Sequence, residues 1–354
     1  MFPALACYTP PVRFFLLTLF SLSAFALHQA QTPQILRNAS PKTSLRGLSV
    51  SRAGKILVVW VTGSNNFILR SPDSGNSFAF LNIDKANGQD LRGVQSFGAH
   101  TAYVFSVGTE NKSHIYKTTN AGRSWQVQYS DPRPAFFLDG LVCRSEKDCF
   151  AISDPIDSKF PILHTEDGEH WSELPQSSEP AALPTEGLFA ASNTSMVFCG
   201  PNKNDIFFAT GGPSARVFHS SDNARSWTAT TTPILSGNAT AGIFSLACHD
   251  QTLVAVGGDY REPTATKAVA AYSTDFGATW HLSDQQPAGY RSAVTTMAPN
   301  KWIAVGTTGI DISNDNAAHW TPLNQLTANA VLAIDTHTVF AAGPKAFITR
   351  LRIP

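Results

Sequence analysis

The chain of 354 residues is poor in charge: 15% of it is Asp, Glu, Lys or Arg, and the signs cancel to a net charge of zero. A balanced surface of this kind lacks the positive field that drives binding to nucleic acid or to anionic membranes. Long apolar runs are missing too. The one substantial run, Phe14–Leu27, follows Arg13 and contains an Ala24-Phe25-Ala26 cleavage pattern. It is short for a membrane span, so residues 1–30 read as a signal peptide cut after Ala26 or Ala30, and no later segment reaches membrane length. The expected localisation is secreted or periplasmic. Helical periodicity is nearly absent. Cofactor signatures are absent as well: Gly211-Gly212 and Gly257-Gly258 follow strand-like runs but no helix follows them, and His114, His164, His219 and His249 sit in separate modules without metal-ligand spacing. Neither a cofactor nor a metal is expected.

Cysteine is scarce, with four of the five in the mature part. Cys143 and Cys149 bracket a polar tip between two apolar runs, which predicts a disulfide across a hairpin in an oxidising compartment. Cys199 and Cys248 lie in apolar strand-like runs and read first as buried free thiols, with a second disulfide as the competing reading.

What the chain does contain is repetition. Short β-type runs alternate with Gly, Asn, Asp and Pro, and one turn motif recurs six times. The copies run Ser71–Phe78, Thr118–Trp125, a shortened Thr165–Trp171, Ser220–Trp227, Ser273–Trp280 and Ser313–Trp320, on the template Ser/Thr-x-Asp-x-Gly-x-x-Trp. The acceptor position holds Asp73, Asn120, Asp167, Asp222, Asp275 and Asp315, whose side chains suit hydrogen bonds from turn amides. Asn120 accepts such bonds as well as Asp does, which favours a folding role over acid–base work. Ala224 and Ala317 stand where the template has Gly, so those turns must differ or carry strain. A period of about 50 residues signals a propeller or solenoid.

A second repeat counts seven: Arg46-Gly-Leu, Arg92-Gly-Val, Asp139-Gly-Leu, Glu186-Gly-Leu, Ala241-Gly-Ile, Arg291-Ser-Ala and Asn329-Ala-Val. These read as the first strands of four-stranded antiparallel modules. The last module has only three strands before the chain ends, and Gln34-Ile-Leu-Arg37 can supply the fourth, removing an open sheet edge. The expected fold is all-β: one domain over residues 31–354, a seven-bladed propeller closed by its N-terminal strand. The fourth module fits worst, and its innermost strand could instead be Ser195–Gly200, with Glu186 in a loop.

In such a blade the boxes lie at the far end from the starts of the inner strands, which rim the channel mouth. That mouth is expected to set Arg46, Arg92 and Arg291 opposite Asp139 and Glu186, with Asp154, Asp157, Asp259 and Tyr260 at second-strand ends and Tyr290 beside Arg291. Guanidinium forks suit carboxylate or phosphate oxygens. The candidate ligand-binding set is Arg46, Arg92, Arg291, Tyr290 and Glu186. The candidate catalytic set, for paired-carboxylate chemistry, is Asp139, Asp154, Glu186, Asp259 and Tyr260. A self-neutralising ring of salt bridges is the competing reading.

With its six boxes the chain resembles the BNR/Asp-box superfamily over nearly its whole mature length. Phe189-Ala-Ala-Ser192, Gly242-Ile-Phe-Ser-Leu246, Gly257-Gly-Asp-Tyr260 and Gly289-Tyr-Arg-Ser292 are similar to the Ycf48-like group, related to photosystem II stability/assembly factors. That resemblance implies an exported propeller that binds a partner polypeptide through an arginine-bearing face, a part Arg46, Arg92 and Arg291 could play. Sialidases share the box, but place an Arg-Ile-Pro motif before the first one, whereas here Arg352-Ile-Pro354 is the tail. Xyloglucanase-like hydrolases pair two seven-bladed domains. The leading expectation is a monomeric binding or assembly propeller without chemistry of its own, recognising a protein, an anion or a glycan. A glycoside hydrolase is the alternative, and a carboxylate pair about 5–9.5 Å apart in an open cleft would favour it.

Overall fold

The computed structural model describes Met1 and residues 42–353 apart from Lys85 and Asn87. The expected signal peptide and the expected closing strand at Gln34–Arg37 lie outside the described residues.

Seven antiparallel sheets follow one another along the chain, each ordered from its first strand to its last, except that Gly211–Gly212, within blade four's stretch of chain, pairs with the inner strand of blade five. Their inner strands are Leu45–Ala53, Asp90–Phe97, Leu138–Cys143, Met196–Cys199, Asn238–His249, Ala293–Ala298 and Ala330–Asp335. Each inner strand neighbours the next, and the seventh neighbours the first, so the blades form a closed ring. Blade seven has three strands among the described residues. It is tied to blade one by Asn329, whose Nδ2 donates to Ser44 Oγ (3.0 Å) and to the Leu45 carbonyl (2.9 Å).

Burial explains the composition of the strands. The second strands lie between neighbouring blades and are apolar on both faces, as in Ile56–Gly63, where Val58, Val59, Trp60 and Val61 are all buried. Fully burying one such side chain stabilises by about 1.5–3 kcal/mol. The outermost strands, such as Thr228–Thr231, are mostly exposed. Seven apolar clusters result, each joining two adjacent blades; one sets Trp60 and Val58 of blade one against Val94, Val104 and Tyr116 of blade two.

Five of the turn motifs share one geometry, and the shortened Thr165–Trp171 closes the same kind of bonds one residue earlier. Asp73 Oδ1 accepts from the Ser77 amide (2.9 Å) and Ser71 Oγ (2.7 Å), while Ser71 Oγ accepts from the Gly75 amide (2.8 Å). The Ser77 hydroxyl, which donates to Asp73 Oδ2 at 2.6 Å, together with the Ser71 hydroxyl and the Ser77 amide, holds the Asp73 carboxyl down at about 2. Asn120 accepts from the Ser124 amide in the same way (3.0 Å). Ala224 and Ala317 keep the left-handed backbone of the glycines they replace, with φ of 62° and 65° against 83° at Gly75. The closing aromatics wedge against the preceding blade: Trp125 meets Trp60 edge-on at 6.0 Å, and Trp171 meets Tyr103 at 5.8 Å. Three of these turns also bond the turn between strands one and two of their own blade: Ala121 N to the His100 carbonyl (2.8 Å), Phe276 N to Gln251 O (3.1 Å) and Asn316 N to Asn300 O (3.1 Å). The motifs therefore sit at the opposite end of the strands from the inner-strand starts.

Two elements differ from the sequence reading. Glu186 does not begin an inner strand: blade four starts at Met196–Cys199, and Glu186 lies in the long segment leading to it. Cys199 and Cys248 are not free thiols: a disulfide joins the inner strands of blades four and five, in addition to Cys143–Cys149 within blade three. The two cysteines are 49 residues apart, and the packing of blade four against blade five makes their strands adjacent.

Candidate functional site

A cavity of about 510 Å³ opens where the inner strands start, and all seven blades contribute to its lining. Backbone irregularity aims several of its side chains. In blade one Leu45 pairs with Gly63 and Gly47 with Thr62, which leaves Arg46 as the unpaired residue of a bulge. Arg92 sits the same way between Leu91 and Gly93, Asp139 between Leu138 and Gly140, and Phe244 between Ile243 and Ser245. A bulge turns its extra residue off the ladder and re-aims the side chain. In blade five, then, the residue corresponding to Arg46 is Phe244 rather than Ala241.

The segment Leu188–Thr194, which enters blade four, crosses the channel and gives the cavity a floor. Ser192 Oγ donates to the Ser292 carbonyl of blade six (2.8 Å), and Asn193 Oδ1 accepts from the Leu141 amide of blade three (2.8 Å). Gly93 makes room for it, since a Cβ there would lie 2.7 Å from the Asn193 side chain. The carbonyls of this floor hold both arginines: Arg92 Nη1 donates to Ala190 O (2.9 Å) and Arg46 Nη1 to Ala191 O (3.3 Å).

Two guanidiniums thus share one wall. Arg92 also pairs with Asp90, at 2.6 Å from Nη2. Among the described residues no carboxylate lies within ion-pair distance of Arg46. Burial, and then the charge of Arg92, lower the pKa of Arg46, so this cation is held in an unfavourable setting. Across from it stands an aromatic wall. Phe189 stacks on Phe244 at 3.8 Å, Tyr290 meets Phe244 edge-on at 4.8 Å, and the half-exposed Tyr260 completes the group. Tyr290 is buried, which raises its phenol above the usual range.

Asp139 and Asp154 form the third feature. Asp139 is 1% exposed, and its Oδ2 has no hydrogen-bond donor from the protein. Its carboxyl is in hydrogen-bonding contact with that of Asp154, which accepts from the Leu188 amide at 2.9 Å. Burial, then the charge of Asp154, push Asp139 well above the usual carboxylate range; burial raises Asp154 to about 6.

Other residues expected at the mouth are engaged elsewhere. Arg291 is 1% exposed and points into blade six, where it pairs with the buried Asp311 and Nη1 donates to Thr308 Oγ1 (2.7 Å). Glu186 is locked to Arg216, with Nε donating to Oε1 at 2.8 Å, and accepts from Thr210 Oγ1 (2.6 Å) and the Leu183 amide (2.7 Å). Asp259 accepts from the Arg261 amide (2.9 Å) and from Asn238 Nδ2 (3.1 Å), outside the cavity lining. The reason is common to all three: a buried charge needs a partner, and each finds one within its own blade or the adjoining strand. The mouth therefore carries two arginines instead of three. Its two carboxyls, Asp139 and Asp154, interact with each other, unlike the separated pair that a glycosidase uses. Among the described residues no group of His, Cys, Asp or Glu is placed to hold a metal ion, and no helix is long and apolar enough to cross a membrane.

Phe189 and Phe244 enter the sequence reading only within the segments of family resemblance and not as site residues. Sliding the fifth module by three residues, so that Ile243-Phe244-Ser245 meets Leu45-Arg46-Gly47, brings Phe244 into the ring. That slide is visible only in the strand pairing.

The DUF6242 beta propeller domain matches residues 36–320. The chain belongs to this family. No curated protein was found to match it. Among solved structures it is similar to one described as YCF48 bound to D1 peptide, at 12% identity and a TM-score of 0.60, covering 89% of this chain and 95% of that one. It is equally similar to YCF48 from Cyanidioschyzon merolae, at 12% identity and a TM-score of 0.60, covering 90% and 98%. At this identity the likeness is one of fold.

Proposed function

We propose that this propeller is an exported binding or assembly protein, without chemistry of its own, whose mouth takes an anionic segment of a partner polypeptide. The observation that carries the reading is Arg46: a desolvated guanidinium with no carboxylate partner, beside a second guanidinium and facing an aromatic wall. An incoming carboxylate would relieve the Arg46–Arg92 repulsion, and the aromatic wall would pack the flanking side chains. The solved relative bound to a peptide supports a polypeptide ligand. Two disulfides support an oxidising compartment.

The test is selection of a displayed random-decapeptide library on the wild-type chain, followed by calorimetry of the enriched peptides. Acidic sequences are expected to emerge, and to lose measurable binding to the Arg46→Ala/Arg92→Ala variant while its thermal midpoint stays near that of the wild type. Enriched peptides that bind the double variant equally well would remove the site from the mouth. A large fall in midpoint would make the arginines structural. Turnover of sialosides or glucans, lost on Asp154→Asn, would turn the reading to hydrolysis.

A further inference from the structure

Asp139 and Asp154 line the same cavity, and burial of one carboxyl beside another disfavours two full charges. Asp139 is buried, its Oδ2 receives no donor from the protein, and the neighbouring group is another carboxyl. A proton held between the two side chains would give that oxygen a hydrogen bond. Both carboxyls line the cavity that Arg46 and Arg92 line. The other titratable groups facing that space are Tyr260 and Tyr290, while Asp90 is held by Arg92.

We propose that the Asp139–Asp154 pair shares one proton at neutral pH and makes anion binding at Arg46 and Arg92 proton-linked, so that the mouth holds its anion more tightly once a second proton has been taken up. The inference rests on the anion site proposed above. The sign follows from charge. With one proton the pair carries a single negative charge close to the guanidiniums and opposes an incoming anion; with two it is neutral and the opposition is gone. Asp154, raised to about 6 by its burial, places the change in mildly acidic solution. A single charge removed within one cavity changes affinity by about tenfold at the effective dielectric of such sites.

Inorganic sulfate is the suitable probe, because it keeps its double charge throughout this pH range. Calorimetric titration of the full chain should show sulfate bound about tenfold more tightly near pH 5 than near pH 7.5. Asp154→Asn should bind tightly at both pH values, and Arg46→Ala at neither. Equal wild-type affinity at the two pH values, or an undiminished pH slope in Asp154→Asn, overturns the proton linkage and leaves the anion site standing. No Arg46-dependent sulfate binding at either pH overturns the anion site and the linkage with it. Should Asp154→Asn fail to fold, carboxyl carbon NMR of the wild-type chain decides: one carboxyl titrating near 6 is expected, and both titrating below about 4.5 overturns the shared proton.

Discussion

Glu179, at 5% exposure, lies beside Glu173 and the Arg133 guanidinium, and burial followed by the charge of Glu173 pushes its carboxyl up to about 7. A carboxyl whose folded pKa lies above its unfolded value contributes stability that is complete below the unfolded pKa. That contribution is lost as pH rises through the folded pKa, so here the loss runs from about 4.5 to about 7. Replacing the group with a neutral isostere removes the loss. Glu179→Gln is therefore expected to match the wild-type thermal midpoint near pH 4.5 and exceed it near pH 8, as a pair of calorimetric scans would show; equal midpoints at both pH values would refute it. Single residues also show where sequence reading reaches its limit. Arg291 and Glu186 are legible as charges at strand-like positions, but their partners Asp311 and Arg216 lie 20 and 30 residues away. Pairing of that range depends on which strands become neighbours, so the turn inward at Arg291 and the locked Glu186 could not be read from their own surroundings.

The turn motifs are the most legible elements, because the side-chain hydrogen bonds that shape each one close within eight residues. Their glycine position is more demanding than the template suggests. At Gly75 a Cβ would stand 2.6 Å from the buried ring of Phe340, and the backbone is left-handed. Gly75→Ala is expected to destabilise by about 2 kcal/mol, since a clash with a packed ring adds to the αL penalty. Ala224, buried but left-handed at φ 62°, has neighbours that already accommodate its methyl. Ala224→Gly is expected to leave stability unchanged or raise it by up to about 1 kcal/mol. Chemical denaturation of the two variants side by side checks the asymmetry. The inner strands were less legible, because a bulge is a property of two strands and not of one. The repeat reads Arg46-Gly, Arg92-Gly and Asp139-Gly only as first-strand positions, where the pairing shows bulges, and its Ala241-Gly-Ile match in the fifth module lies three positions from the bulged Phe244.

Across the whole molecule the ring brings together residues that nothing local connects. Cys199 and Cys248 close a loop of 49 residues and staple blade four to blade five, whereas Cys143 and Cys149 are only 6 apart. Loop entropy scales with that separation, so Cys199→Ala is expected to cost about 4 kcal/mol and Cys143→Ala about 2 kcal/mol under oxidising conditions. The difference should vanish when both proteins are measured reduced; a larger loss for Cys143→Ala would contradict the stapling role. The same closure builds the mouth. Arg92 is held by a carbonyl 98 residues away and Arg46 by one 145 residues away, both on the segment that floors the channel. From the amino-acid order alone followed the all-β class, the number of modules and the chemistry of the turns, because strand alternation and turn hydrogen bonding act over a few residues. Which charges meet, which are neutralised inside a blade and which remain unpaired beside an aromatic wall came only with the closed ring, because desolvation and ion pairing depend on what the fold brings within a few ångströms.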